Sequence, residues 1–386
     1  MNITSIDKEY VAGTYGRFPL ELVQGKGSIV TDTAGKEYID LGTGIGVTAF
    51  GYCDEAWTAA VTAQAMKLQH TSNLYYTEPC ARLAQLLCEK TGMKKVFFSN
   101  SGAEANECAI KVARKYSARK KGADCFNIVT LKQSFHGRTL TTLAATGQDH
   151  FHQDFLPLTP GFRHVEANNL AQLNGAVDGT TAGIMIEIVQ GEGGVNPLTR
   201  EFVEECARLA RELDIPLIVD EVQTGNGRTG KLYAYQHFGI TPDIVSTAKG
   251  LGGGLPIGAT LMGEKVQKVL QPGDHGSTYG GNPVCCAGAL SVIGRLDEEF
   301  LGTVAQKSAH VFAALENAPG IESVTGLGLM IGVKTTKPAK QVVAECMEKG
   351  VLCLTAKDKV RLLPALNIPM EDLNKALDIL KEACAE

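Results

Sequence analysis

Leu217-Ile218-Val219-Asp220-Glu221 and Ile244-Val245-Ser246-Thr247-Ala248-Lys249-Gly250-Leu251-Gly252-Gly253-Gly254 decide how this chain is built. Each starts as a short apolar run with the length and β-branched content of a buried strand, and the runs lead to Asp220-Glu221 in one and to Lys249 in the other. Runs of the same kind recur at Lys95-Val96-Phe97-Phe98, Phe126-Asn127-Ile128-Val129, Gly183-Ile184-Met185-Ile186 and Ile257-Gly258-Ala259-Thr260-Leu261. Helical patterns fill the intervals from about residue 55 to 300; one places Phe202, Cys206, Leu209 and Leu213 on a face behind a capping Thr199. Strands alternating with helices predict an α/β fold, a mostly parallel sheet covered on both faces. Asp220 and Lys249 stand 29 positions apart, which leaves room for one strand between them. Both then fall at the carboxyl ends of strands, where open sheets of this kind bind ligands.

The two ends of the chain have a different texture. Gly27 to Leu41 alternates around Asp32-Thr33-Ala34-Gly35-Lys36, the signature of a hairpin. Past residue 310 come three short apolar runs, at 329–333, 351–354 and 360–363, and a helix with Met370, Leu373, Leu377 and Leu380 on one face. The expected division is a large α/β domain over 51–300 and a small α+β domain built from 1–50 and 301–386.

Bulk composition excludes several classes. At 386 residues with 44% hydrophobic and 20% charged content, the chain has the make-up of an ordinary soluble protein. A net charge of −5 gives no support for nucleic acid or an anionic membrane as partner. The first residues carry no basic-then-apolar pattern of a secretory signal, and no apolar run reaches the length of a membrane span. Eleven cysteines without a CxxC pair read as reduced thiols of a cytoplasmic protein.

Four stretches bear chemistry. Lys249 sits among glycines that let something bulky approach, and apolar surroundings favour its neutral, nucleophilic form. Ser99-Asn100-Ser101-Gly102-Ala103-Glu104 is a small-residue turn leading into a helix, whose free amides welcome an anion. Phe135 and Arg138, in Ser134-Phe135-His136-Gly137-Arg138-Thr139, suit an aromatic ring and a carboxylate respectively. His136 reads as a structural histidine, since no metal-ligand spacing surrounds it; no metal is implied anywhere in the chain. Glu187 and Glu192 flank Gln190-Gly191, either as a solvated loop or as part of a site. An amine able to form a Schiff base and an acid able to keep a pyridine nitrogen protonated are what pyridoxal phosphate asks of a protein.

A nucleotide-hydrolase reading competes for one segment. Gly225-Asn226-Gly227-Arg228-Thr229-Gly230-Lys231 fits G-x-x-x-x-G-K, but Leu232 stands where a Ser or Thr should hold magnesium. A single strand, 217–220, would also have to serve both halves of that site, so this reading is disfavoured.

In this order, the segments SGAEAN (101–106), SFHGRT (134–139), QGEGG (190–194), DEVQTGNGRTG (220–230), TAKGLGGGLPIGA (247–259) and GSTYGGNP (276–283) resemble the fold-type I, class III (ω-) aminotransferases. The resemblance runs from Tyr15-Gly16-Arg17-Phe18-Pro19-Leu20 to Arg361. It implies a seven-stranded-type, mostly parallel central sheet with a small α+β domain, and pyridoxal 5'-phosphate as cofactor. Lys249 would join the cofactor's aldehyde and later shuttle a proton. Asp220 would pair with the pyridine nitrogen, with Glu221, Val222 and Gln223 beside it and Gln223 near the ring hydroxyl. Gly102 and Ala103, helped by Ser101, would hold the phosphate, and Phe135 would stack on the ring. Thr278 would reach the phosphate of the other subunit's cofactor, implying a homodimer with shared sites. Arg138 and Ser277 would contact the amino donor. Arg361 would clamp the α-carboxylate of 2-oxoglutarate and pair with Glu192 in the other half-reaction.

Within the family, the 247–259 segment and the compact length are closer to the members acting on acetylornithine than to those acting on ornithine or 4-aminobutyrate. The implied reaction converts N2-acetyl-L-ornithine and 2-oxoglutarate into N-acetyl-L-glutamate 5-semialdehyde and L-glutamate, as in arginine biosynthesis. Succinylornithine, succinyldiaminopimelate, ornithine and 4-aminobutyrate are the alternative donors. Two segments depart from the family's usual pattern: Gly51-Tyr52-Cys53-Asp54-Glu55 in place of a GHxHP-like run, and Glu187-Ile188-Val189 in place of EPI.

Overall fold

The computed structural model describes residues 3–385. Seven strands form the central sheet: β1 (Lys95–Ser99), β2 (Asn127–Leu131), β3 (Phe162–Val165), β4 (Thr181–Ile186), β5 (Leu217–Asp220), β6 (Ile244–Thr247) and β7 (Gly258–Met262). Their spatial order is β1-β7-β6-β5-β4-β2-β3. Neighbours from β6 through β3 pair in parallel, while β7 runs antiparallel to both β6 and β1. Every residue of β4, β5, β6 and β7 is buried, because helices cover both faces; their sequences therefore read as continuous apolar runs rather than as alternation. The strand expected between Asp220 and Lys249 is β6. Strand β3, Phe162-Arg163-His164-Val165, escaped the sequence reading: it lies at the sheet edge, where polar residues are tolerated and the apolar signal is diluted.

Helix α1 (Gly102–Lys121) follows β1. Ser101 caps it by accepting the Glu104 amide, and Arg119, Lys120 and Lys121 sit at its negative end. Its buried stripe is mostly small residues, among them Ala105, Cys108, Ala109 and Ala113, so the helix can lie close against the sheet. Helix α2 (Arg200–Glu212) starts, as expected, where the Thr199 hydroxyl accepts the Phe202 amide, and it buries Phe202, Val203, Cys206 and Leu209. Truncating Phe202 to alanine there should cost about 3–5 kcal/mol.

The chain ends meet. Leu22–Lys26, Ile29–Asp32 and Glu37–Asp40 form an antiparallel meander, and Asp32 closes its turn by accepting the amides of Ala34 and Lys36. Val351–Leu352 joins that meander in parallel beside Ile39 and Asp40. A second antiparallel sheet holds Ile321–Leu327, Met330–Thr335, Lys359–Leu362 and Leu354–Ala356, and it carries Arg361. The amide of Leu363 donates to Leu41 O at 2.6 Å and the Thr43 hydroxyl to Leu363 O at 2.6 Å, fastening the Arg361 strand to residues 41–43. No helix among the described residues is long and apolar enough to cross a membrane.

Candidate active site

The carboxyl ends of β5 and β6 open into a cavity of about 460 Å³, lined by Asn100, Ser101, Gly102, Ala103, Asn106, Phe135, His136, Arg138, Glu187, Asp220, Val222, Gln223 and Lys249 among others. Lys249 stands on its floor. Its backbone lies in the left-handed region (φ 45°), an uncommon conformation for a non-glycine residue that costs about 1–3 kcal/mol. The buried Asn226 side chain offsets this by bonding Thr247 Oγ1 at 2.9 Å and Ala248 O at 3.0 Å. Burial pushes the Lys249 amine below its ordinary pKa, and the Arg361 charge adds to that; Glu192, Asp220 and Glu187 oppose it. An amine with a lowered pKa is available as a nucleophile and as a proton carrier near neutrality.

Asp220 ends β5 and is almost wholly buried. One oxygen, Oδ2, receives Asn106 Nδ2 at 2.7 Å and contacts His136 Nδ1 at 2.8 Å; Oδ1 accepts the Val222 amide at 3.0 Å. Burial opposes protonation of His136, yet the Asp220 bond and the charges of Asp220 and Glu187 together raise its pKa above the ordinary value. The imidazolium so favoured offsets the desolvation of the Asp220 carboxylate. Glu187, also buried, accepts the amides of Phe135 (2.8 Å) and Gly191 (3.4 Å), and burial drives its carboxyl up to about 7.

The phosphate-sized end of the cavity is the N-terminus of α1. The amides of Ala105 and Glu104 are taken by Ser101, while those of Gly102 and Ala103 face the cavity without a protein partner. Glycine is required at 102 because a Cβ there would lie 2.7 Å from Val222 Cγ1. Two free helix-start amides at one end, a buried carboxylate at the other, the Phe135 ring and an amine of lowered pKa between them fit pyridoxal phosphate.

At the rim, Arg361 Nη1 lies 2.6 Å from Glu192 Oε1 and 3.2 Å from Gln223 Oε1. The Arg361 side chain is 3% exposed, so an unpaired guanidinium would be costly, whereas Glu192 remains 30% exposed. Burial would raise the Glu192 carboxyl, but Arg361 and Lys249 together hold it below its usual range. Gln223, expected near a ring hydroxyl, lines the cavity and also bridges this pair. Arg138 lines the cavity and takes part in no ion pair among the described residues.

Five expected residues do not line the cavity: Glu192 and Arg361 stand beside it on Gln223, and Glu221, Ser277 and Thr278 lie elsewhere. The Glu221 side chain turns inward, accepting the Tyr235 amide at 2.9 Å and the Thr224 hydroxyl at 2.6 Å, because successive residues at a strand end face opposite ways. Ser277 stands one residue behind the wall: it receives Asn100 Nδ2 at 3.0 Å and lines a separate cavity of about 530 Å³. Thr278 is exposed beside it. The residues that sequence reading missed are Asn106, Asn226, Glu187 as a tether, and His136 as the partner of Asp220. His136 follows Phe135 in SFHGRT; only the three-dimensional arrangement sets it against an acid 84 positions away. The 225–231 segment is no phosphate loop. The amides of Gly227, Arg228 and Gly230 are used internally, and Lys231 points to solvent.

Residues 10–384 match the family described as aminotransferase class-III, and the chain belongs to that family. It is similar to an acetylornithine aminotransferase of Haemophilus ducreyi, 50% identical over all of this chain and 98% of that one. Among solved structures it is similar to an N-acetylornithine aminotransferase of Stenotrophomonas maltophilia (34% identity, 99% and 98% covered, TM-score 0.86). It also resembles an ornithine aminotransferase of Toxoplasma gondii (31% identity, 99% and 93% covered, TM-score 0.94). The chain is an aminotransferase, with the fold type I architecture that its motifs implied.

Proposed function

We propose that this enzyme moves the terminal amino group of N2-acetyl-L-ornithine to 2-oxoglutarate with pyridoxal 5'-phosphate as cofactor, in the cytoplasm, as a step of arginine biosynthesis. One observation carries the reading: two arginines of opposite status serve the cavity, Arg138 on its lining with no ion pair among the described residues, and Arg361 beside it, joined to the lining residue Gln223 and neutralised by Glu192. A donor that reacts through its far amine needs one carboxylate site and must not be drawn in by its α-carbon. Arg138 offers that site, and the Glu192–Arg361 pair withholds the second. An α-keto acid then needs a second clamp, and Glu192 swings aside to free Arg361 for it. The high identity to an acetylornithine enzyme supports the same donor.

When bound, pyridoxal phosphate supplies an aldehyde that accepts the amino group and a ring that withdraws electrons from the reacting carbon. The chain's own residues do the rest. Gly102 and Ala103 hold the phosphate oxygens by their amides, and Ser101 sets that turn. Phe135 and Val222, both on the cavity lining, would hold the ring between them. Asp220, held by His136 and Asn106, keeps a positive charge on the ring nitrogen. Lys249 Nζ, its pKa lowered by burial, would be the base that takes the proton from the donor carbon and holds it for return.

Ser277 and Thr278 act in the neighbouring subunit's site on this reading. Tyr75 (71% exposed) and Tyr76 (106%) line the same cavity as Ser277, and Tyr279 (62%) follows Thr278, an apolar face suited to a second copy of the chain. Eleven free cysteines support a reducing compartment.

The test is a donor panel with the holoenzyme and 2-oxoglutarate, ranking kcat/KM for acetylornithine, succinylornithine, succinyldiaminopimelate, ornithine and 4-aminobutyrate. Acetylornithine should lead. A higher rank for ornithine or 4-aminobutyrate would overturn the donor assignment while leaving the family intact.

A further inference from the structure

We propose that Phe151 is a positioning residue for the donor's carboxylate: its ring holds the Arg138 guanidinium flat, with the N–H fork directed at the cavity. Arg138 is exposed and without an acid partner among the described residues, a state in which an arginine ordinarily samples many rotamers. Here its Cζ lies 4.0 Å from the Phe151 ring centroid and 5.6 Å from that of Phe135. The two rings meet edge-on, at 5.9 Å and 72°, and so form a bracket around the guanidinium. Stacking occupies the faces of the cation and leaves its in-plane donors free for a two-pronged carboxylate bond.

The bracket is itself anchored. Phe151 closes the short turn Asp149–Phe151, its amide bonded to Gln148 O at 3.0 Å. Gln148 in turn donates from Nε2 to Ser134 O (3.0 Å), and Gly147 donates its amide to Ser134 Oγ (3.0 Å). The loop bearing Phe151 is thereby pinned to the loop bearing Phe135, the residue that faces the cofactor site. Distance from Arg138 to the reacting amine is thus set through Phe151 rather than through Arg138's own flexible stem. A pre-placed guanidinium loses less freedom on binding, so the carboxylate is held more tightly.

This rests on the reading that Arg138 receives the donor's carboxylate, and the test separates the two. Holoenzyme variants Phe151→Leu (apolar, π-face lost), Phe151→Tyr (π-face kept) and Arg138→Ala are compared with the wild type. The first measurement is calorimetric binding of N-acetyl-L-norvaline, which has the donor's carboxylate and acyl group but no reacting amine. The second is kcat/KM for acetylornithine against N-acetyl-1,4-diaminobutane, which lacks the carboxylate. Phe151→Leu should bind N-acetyl-L-norvaline roughly five- to tenfold more weakly and lose a similar factor with acetylornithine alone. Phe151→Tyr should restore both. Equal losses with both donors, or wild-type behaviour of Phe151→Leu while Arg138→Ala is impaired, would overturn the role of Phe151. If Arg138→Ala also binds the norvaline derivative as the wild type does, the carboxylate assignment has failed as well.

Discussion

The floor and the rim of this cavity are both built from charged groups, yet they are held in opposite ways. On the floor, Asp220 is 3% exposed and its oxygens are engaged by Asn106, His136 and the Val222 amide. Each partner comes from a different segment of one sheet domain, so none can move without unpairing another. At the rim, Arg361 shares Glu192 and Gln223, and Glu192 is partly open to water. Arg361 comes from the sheet that pairs with the chain's C-terminal elements, Glu192 from a glycine-bordered loop after β4. A fixed floor suits a cofactor that never leaves, and an exchangeable rim suits two substrates that alternate. The physical difference is the number of redundant partners, since a network in which every member is satisfied resists rearrangement.

Changes to the floor should therefore be severe and indifferent to which substrate is used. Lys249→Ala removes the amine that moves the proton, and turnover should fall by about 10⁴-fold with every donor. Borohydride reduction of the loaded variant should leave no cofactor attached to the 249-containing peptide by mass spectrometry. Next in size, Asp220→Asn keeps the shape but removes the charge, and kcat should fall about 10²- to 10³-fold. A loss that differed between acetylornithine and glutamate as donors would mean that the floor, too, discriminates between substrates.

The rim should respond selectively. Glu192→Gln leaves Arg361 unmasked in both half-reactions, so donors carrying a free α-amine and α-carboxylate gain access. Charge-assisted bonds of this kind contribute about 1.5–3 kcal/mol, which sets a shift of roughly 10- to 150-fold in the kcat/KM ratio of glutamate to acetylornithine. An unchanged ratio, measured by amine transfer to a suitable keto acid, would show that Glu192 is not the switch.

Floor and rim were also unequally legible. The strands that carry Asp220 and Lys249 announced themselves because both faces are covered, leaving only apolar residues between turns. Ser101-Gly102-Ala103 was readable for a local reason, a strand-to-helix turn with a good cap. The Glu192–Arg361 contact joins residues 169 positions apart, and nothing local in either segment specifies it; motif order alone suggested it. The roles of His136 and Asn106 were hidden for the same cause, since their meaning lies in the acid they meet. Strand β3 was lost to its polar edge position, and Glu221 was misplaced because a motif lists neighbours without saying which way each side chain points.

Asp220 and Glu221 sharpen the contrast to its finest scale, being adjacent acids at one strand end. Asp220 has a histidine whose protonation it favours; Glu221, wholly buried, has the Thr224 hydroxyl and backbone amides but no cation. Burial pushes the Glu221 carboxyl up from the usual glutamate range to about 7. The folded state therefore binds its proton more tightly than the unfolded chain does. Its stabilising contribution is complete below the unfolded value of about 4.5 and is lost as pH rises through about 7. Glu187, raised to about 7 by burial, adds a slope of the same sign. Glu221→Gln keeps the size and supplies an uncharged acceptor for the Tyr235 amide. Denaturant unfolding of the wild type should show stability falling between pH 5 and pH 8, and the variant should lose about half of that fall, roughly 2 kcal/mol. A variant with the full wild-type slope would place the titration on Glu187, at the cavity wall, instead of on the acid turned away from it.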